Sequence, residues 1–221
     1  YILRKRHDSK ISSLTNAKLN TVAVRFPKNK IVRSILKKIK FPLAMPSANK
    51  STNVSPVNSL DVFEEFNKKL KIIVDGGKCK IGIESTVLDL TSSPKILRPG
   101  VIDEKKIERT LKIKFNKHFR KRKILSPGMM AKHYSPGIPI LINQKKHDGT
   151  SAFIYIGNKY KYKKKFFSLN KKNNLNLAAS NLYKVLRTIK KKGYKKIQIH
   201  KIPHYGAGIA INDRIKRASK F

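Results

Sequence analysis

LNLAASNLYKVLRTIKKKGYKKIQIHKI, residues 175–202, changes its period halfway along. From Leu175 to Lys191 the apolar residues Leu175, Ala178, Leu182, Leu186 and Ile189 recur on one stripe at helical spacing, while Lys196 to Ile202 alternates as a strand does. Working outward, Ile138–Ile142 and Ser151–Ile156 read as two earlier strands, and a short helix is expected from Asn212. Strands alternating with helices imply an α/β unit with a mostly parallel sheet over residues 138–221.

The first part of the chain carries a similar mixture. Thr21–Pro27 is a β-branched run closed by proline, and Ile31, Ile35, Leu36 and Ile39 mark a helix. Pro42–Met45 reads as a strand delivering a polar loop. Ser59 reads as the cap of a helix over Leu60–Lys69, and Ile72–Val74 as a buried strand ended by Gly76-Gly77. Two further strands are expected over Ser85–Leu90 and Pro94–Leu97, then a helix over Ile102–Leu111 opened by the acidic Asp103 and Glu104. The organisation expected is therefore residues 1–112 as one partial domain, 113–137 as a linker or lid, and 138–221 as a smaller α/β domain. Tyr1-Ile-Leu-Arg resembles a strand from the middle of a sheet, so the chain is expected to be the C-terminal part of something longer.

Composition narrows the class. The chain has 221 residues, 39% hydrophobic and 29% charged, as a globular protein does. No apolar run approaches the ~20 residues that cross a bilayer. A single cysteine, Cys79, excludes an internal disulfide and fits a reducing, cytoplasmic address. The formal charge is +40, from 52 Lys and Arg against 12 Asp and Glu. Two readings of that charge stand side by side: a lysine-filled solvated surface set by compositional bias, or a surface selected for nucleic acid.

Few residues carry chemistry on their own. Ser47, Asn49 and Ser55 lie on a loop of small polar side chains that could approach phosphates closely. Ser85 and Thr86 enter a strand behind Gly82. Arg98, before Pro99-Gly100, suits a bidentate anion contact. Between Pro127 and Pro136 the linker holds Met129, Met130, His133 and Tyr134, residues that a plain tether has no reason to carry. One histidine without cysteine or carboxylate partners makes no zinc site, and no Walker loop, GxSxG or HExxH occurs.

PSANKSTNVSP (46–56), GIESTVLDL (82–90) with LRPG (97–100), SPGMMAKHYSP (126–136) and GAGIAINDRIKRAS (206–219) stand in that order. Together they resemble the threonylcarbamoyl-AMP synthase family, YrdC-type, in its long two-domain form. The resemblance implies the C-terminal part of a YrdC-like twisted α/β domain followed by a linker and a smaller Rossmann-like domain. It implies a nucleotidyltransferase that makes threonylcarbamoyl-AMP and pyrophosphate from L-threonine, bicarbonate or CO2, and ATP, with Mg²⁺ as helper. Downstream threonylcarbamoyl-transfer proteins would use the product on tRNA. By the same resemblance Thr21, Ser47, Asn49, Ser55, Arg98 and Tyr134 fall at ATP-binding positions, and Arg25, Met45 and Ser85 at L-threonine positions. Met45 departs from the small residue usual there. The family's Lys-x-Arg segment does not occur in this chain, so turnover by residues 1–221 alone is expected to be absent. The alternative reading is a basic RNA-binding module without catalysis, resting on the charge and on Tyr155, Tyr160, Tyr162, Phe166 and Phe167 among lysines.

Overall fold

The computed structural model describes residues 1–67, 69–115, 133–160 and 163–220. Two four-stranded sheets organise them. The first contains β1 (Ile2–Arg4), β2 (Thr21–Ala23), β3 (Val87–Asp89) and β4 (Lys95–Arg98) in the order β2-β1-β3-β4. It is mixed: β1 is antiparallel to β2 and parallel to β3, and β4 returns antiparallel to β3. Its helices are α1 (Lys30–Ile39), α2 (Ser59–Phe66) and α3 (Glu104–Leu111).

The second sheet contains β5 (Ile140–Leu141), β6 (Ala152–Tyr155), β7 (Phe166–Ser168) and β8 (Ile197–Ile199) in the order β5-β8-β6-β7, all parallel, with α4 (Leu175–Lys191) and α5 (Ala207–Ala218). The stripe read from sequence is the face that α4 buries, through Ala178, Leu182, Leu186 and Ile189, with Leu175 at its edge. It packs in one cluster with Ala152 and Ile154 of β6, Ile197 and Ile199 of β8, and Ala210, Ile211 and Ile215 of α5. Each fully buried Leu or Ile stabilises by ~1.5–3 kcal/mol, so this cluster is the main store of stability. Val54, Val57 and Ile83 of the first unit and Tyr134 belong to the same cluster. The second unit is therefore docked on the loops of the first.

Several local expectations need correction. Pro42–Met45 forms no strand and Met45 is exposed. Ile72–Val74 forms none either: Ile72 is 81% and Val74 61% exposed, because no ladder partner or covering layer meets them among the described residues. Asn58 caps α2 in place of Ser59; its Oδ1 accepts from Asp61 N at 2.8 Å while Asp61 accepts from Val57 N at 2.9 Å, a reciprocal lock at the helix start. That helix stops at Phe66, with Asn67 left-handed at its end. The last helix begins at Ala207, not Asn212. Asn212 imitates a cap in sequence, but its amide reaches back to the carbonyl oxygens of Ile202, Pro203 and Gly208. Strand β7 was not anticipated, since the lysine run before it hides its short apolar pair. No described helix is long and apolar enough to cross a membrane.

Candidate functional site

Gly82 begins the site. Its φ of +75 lies in the left-handed region, and a Cβ there would stand 2.4 Å from the Ser180 carbonyl oxygen of α4. Only glycine lets the chain pass this close to the helix backbone and swing Glu84 inward. Glu84 Oε1 accepts from Ser55 Oγ at 2.8 Å, and Oε2 accepts from Tyr183 Oη at 2.7 Å and Arg214 Nε at 2.9 Å. Arg214, 1% exposed, also donates to the carbonyl oxygens of Pro99 at 2.8 Å and Glu84 at 3.2 Å and to Asp213 at 2.9 Å. The Tyr134 ring lies 5.3 Å from this guanidinium and stacks on Tyr183 at 5.7 Å. His133 meets the Tyr134 ring edge-on at 4.0 Å.

Electrostatics follow from this burial. Desolvation opposes ionisation of Glu84, but the Arg214 charge and the hydrogen bonds from Tyr183, Arg214 and Ser55 overcome it and hold the carboxyl below its usual range. Burial, with the Glu84 charge behind it, pushes the phenols of Tyr134 and Tyr183 up. Desolvation pushes His133 down, which favours the neutral imidazole. Glu84 and Arg214 thus form a fixed ion pair joining the two units.

A second pair supports the polar loop. Glu65 Oε1 accepts from Lys50 N at 3.1 Å and Asn53 Nδ2 at 2.7 Å, and its other oxygen meets Arg187 at 3.3 Å. Arg187 also donates to the Val54 carbonyl oxygen at 2.6 Å. Asn53 bridges to Ser135, and Ser135 N donates to the Thr52 carbonyl oxygen at 2.8 Å. Tyr134, whose φ is +64, is pinned by these contacts between the polar loop and α5.

Of the residues expected from sequence, Ser55, Ser85, Arg98 and Tyr134 gather around Glu84; Arg98 Nε donates to the Ser85 carbonyl oxygen at 3.1 Å. Asn49 joins through the loop, its amide donating to the carbonyl oxygens of Lys50 and Asn53. Arg25 shares one end of the first sheet with Ser85 and Arg98. There Ile2 lies opposite Ala23 and Asp89, and Val87 lies opposite Arg98. Thr21 is opposite Arg4, at the other end. Ser47 and Met45 are exposed, and neither side chain hydrogen-bonds to the Glu84 group among the described residues. Of the linker or lid expected over residues 113–137, residues 116–132 lie outside the described residues.

Glu84, Arg214, Tyr183, Glu65 and Arg187 were not singled out from sequence. Arg214 was detectable: it interrupts the apolar stripe Ile211, Ile215 and Ala218, and a charge on a core face implies a buried partner. Nothing in the sequence identified Glu84 as that partner. The described residues contain no group of three or more His, Cys, Asp or Glu able to hold a metal. The carboxylates nearest the site already serve arginines, so this donor set does not fit a protein-built Mg²⁺ site.

Comparison with known proteins gives two matches in tandem. The Sua5/YciO/YrdC family model, described as "Telomere recombination", matches residues 1–100, and the model for the threonylcarbamoyl-AMP synthase C-terminal domain matches residues 102–220. Threonylcarbamoyl-AMP synthase of Pyrococcus abyssi is 30% identical over 92% of this chain and 65% of its own length. That of Bacillus subtilis is 30% identical over 95% of this chain and 66% of its own. The chain thus spans a little under two thirds of these relatives. The crystal structure of P. abyssi Sua5 complexed with L-threonine superposes with a TM-score of 0.84 at 28% identity, covering 99% of this chain and 69% of the other. A variant of that protein with an adjacent histidine and tyrosine changed to alanine gives 0.82 at 27%, covering 99% of this chain and 68% of the other.

Proposed function

Because the chain belongs to the threonylcarbamoyl-AMP synthase family, we propose that its gene product makes threonylcarbamoyl-AMP and pyrophosphate from L-threonine, bicarbonate or CO2, and ATP. The tandem match over residues 1–100 and 102–220 carries this reading. The product would serve threonylcarbamoyl transfer to tRNA.

The chemistry needs no protein nucleophile. Threonine's amine takes up CO2 as a carbamate, whose oxygen attacks the α-phosphorus of ATP as pyrophosphate leaves. The protein contributes position and charge. Arg25 would grip the threonine carboxylate in a fork that lysine cannot reproduce, with Ser85 and Met45 beside it. Arg98 would stabilise phosphate charge, and Thr21, Ser47, Asn49, Ser55 and Tyr134 would line the nucleotide. Mg²⁺ would arrive on the ATP phosphates. The chain has two adjacent His–Tyr pairs, His133-Tyr134 and His204-Tyr205. Contact with Arg214 and Tyr183 favours the first as the counterpart of the pair altered in the Pyrococcus variant.

The complete gene product, given ATP, bicarbonate, Mg²⁺ and threonine, should release pyrophosphate only when threonine is present. Release indifferent to threonine, or none from a folded product, overturns the reading. Arg25→Lys should weaken threonine use by ~1.5–3 kcal/mol while leaving ATP affinity nearly unchanged, as expected for one charged hydrogen-bonded contact. Steady-state kinetics in each substrate separates this from a structural role, which would weaken both.

A further inference from the structure

The two faces of the second sheet differ in kind. Along β6 the side chains alternate, and Ala152 and Ile154 enter the cluster built with α4 and α5. Phe153 and Tyr155 point the other way, beside Phe166 of β7 at 5.2 Å and 6.4 Å. What lies over this second face is drawn from loops. His147, from the β5–β6 loop, stands 4.7 Å from Phe166; Tyr160, from the β6–β7 loop, stands 4.7 Å from Phe166 and 5.1 Å from Tyr155. His147, Tyr160 and Phe166 are only partly buried.

Ammonium groups surround these outer rings. Lys159 and Lys163 lie 5.5 Å and 5.8 Å from the Tyr160 centroid, near the outer limit of a cation–π contact, so a stacking base could displace them towards its own phosphates. Lys145, Lys146 and Lys164 are exposed on the same two loops. Residues 138–221 contain 21 Lys or Arg and two acidic side chains, Asp148 and Asp213. Both are engaged: Asp148 by Lys196 at 2.8 Å, and Asp213 by Arg214 and Arg217. Among the described residues of this stretch no carboxylate is left to offset the lysines at this face. Of the rings in the alternative module reading, Tyr155, Tyr160 and Phe166 thus share one packed cluster in which Tyr160 and Phe166 stay partly exposed, Phe167 packs on the opposite face, and Tyr162 lies outside the described residues.

We propose that this aromatic face, rimmed by Lys145, Lys146, Lys159, Lys163 and Lys164, is a docking surface for single-stranded RNA. The lysines meet phosphates, and Tyr160 supplies a stacking platform. The choice of RNA over DNA rests on the proposed reaction, whose product is destined for an RNA base. Docking itself is read without turnover.

Fluorescence anisotropy of a labelled, unstructured single-stranded RNA with the full chain tests the surface across a salt series. Replacing Lys145, Lys146, Lys159 and Lys163 with Gln should weaken binding by about 30-fold and flatten the log–log salt slope by about 3, at ~0.7 per lost single-strand phosphate contact. Replacing Lys171, Lys172, Lys184 and Lys195 removes the same charge elsewhere and should cost less than about threefold. Tyr160→Leu, which keeps apolar packing but loses the ring, should cost about tenfold in affinity while the chain still melts cooperatively and the salt slope stays unchanged. Equal losses from the two lysine sets would mean that the charge is compositional, and would overturn the proposal. So would equal affinity for DNA of the same sequence, or lysine-dependent binding of anionic phospholipid vesicles at least as tight as that of RNA.

Discussion

Glu84→Gln should destabilise the fold by about 1.5–3 kcal/mol, because the buried Arg214 guanidinium then keeps only Asp213 as counter-charge. Arg214→Met should cost a comparable amount by stranding the carboxylate. The double replacement Glu84→Gln with Arg214→Met should recover part of that loss, since no buried charge is then left facing an empty place and an amide oxygen still accepts from Ser55 and Tyr183. Urea unfolding of the four proteins measures the coupling; additive single losses would mean that the pair is not the latch between the units. Acid should act through the same group. A carboxyl held below its unfolded value of about 4.3 contributes stability that is fully present above that value. It is lost as pH falls through the folded value, so the latch should hold at neutral pH and loosen only in acid. A wild-type acid transition that persists unchanged in Glu84→Gln would place the titration elsewhere.

How far the sequence could be read follows from where each signal resides. Helix α4 was legible because its whole stripe is local and its neighbours only had to be apolar. The parallel second sheet followed from strands separated by helical lengths of chain, although β7 was hidden by the lysines before it. Ile72–Val74 shows the limit: its composition is that of a buried strand, but burial requires a covering layer, and none meets it among the described residues. The site divides in the same way. Ser55, Ser85, Arg98 and Tyr134 were reached through motif resemblance, whereas their common centre at Glu84 joins positions 130 residues apart and has no local signature.

Tyr134→Phe should change stability and nucleotide use in opposite directions. The Tyr134 hydroxyl is buried without a hydrogen-bond partner among the described residues, and leaving such a group unpaired costs ~1–3 kcal/mol. Its removal should therefore leave the fold unchanged or stabilise it by about 1 kcal/mol. The ring is a different matter: it stacks on Tyr183 and faces Arg214, so Tyr134→Ala should cost ~3–5 kcal/mol through the cavity it opens. If the hydroxyl is kept for the nucleotide, Tyr134→Phe should also weaken ATP use by ~0.5–1.5 kcal/mol, one hydrogen bond's worth. Denaturation midpoints and the KM for ATP in the complete gene product read the two effects separately. A less stable Phe variant would reveal a partner for the hydroxyl within the fold. A more stable one with unaltered ATP kinetics would confine Tyr134 to holding Arg214 and remove it from the nucleotide site.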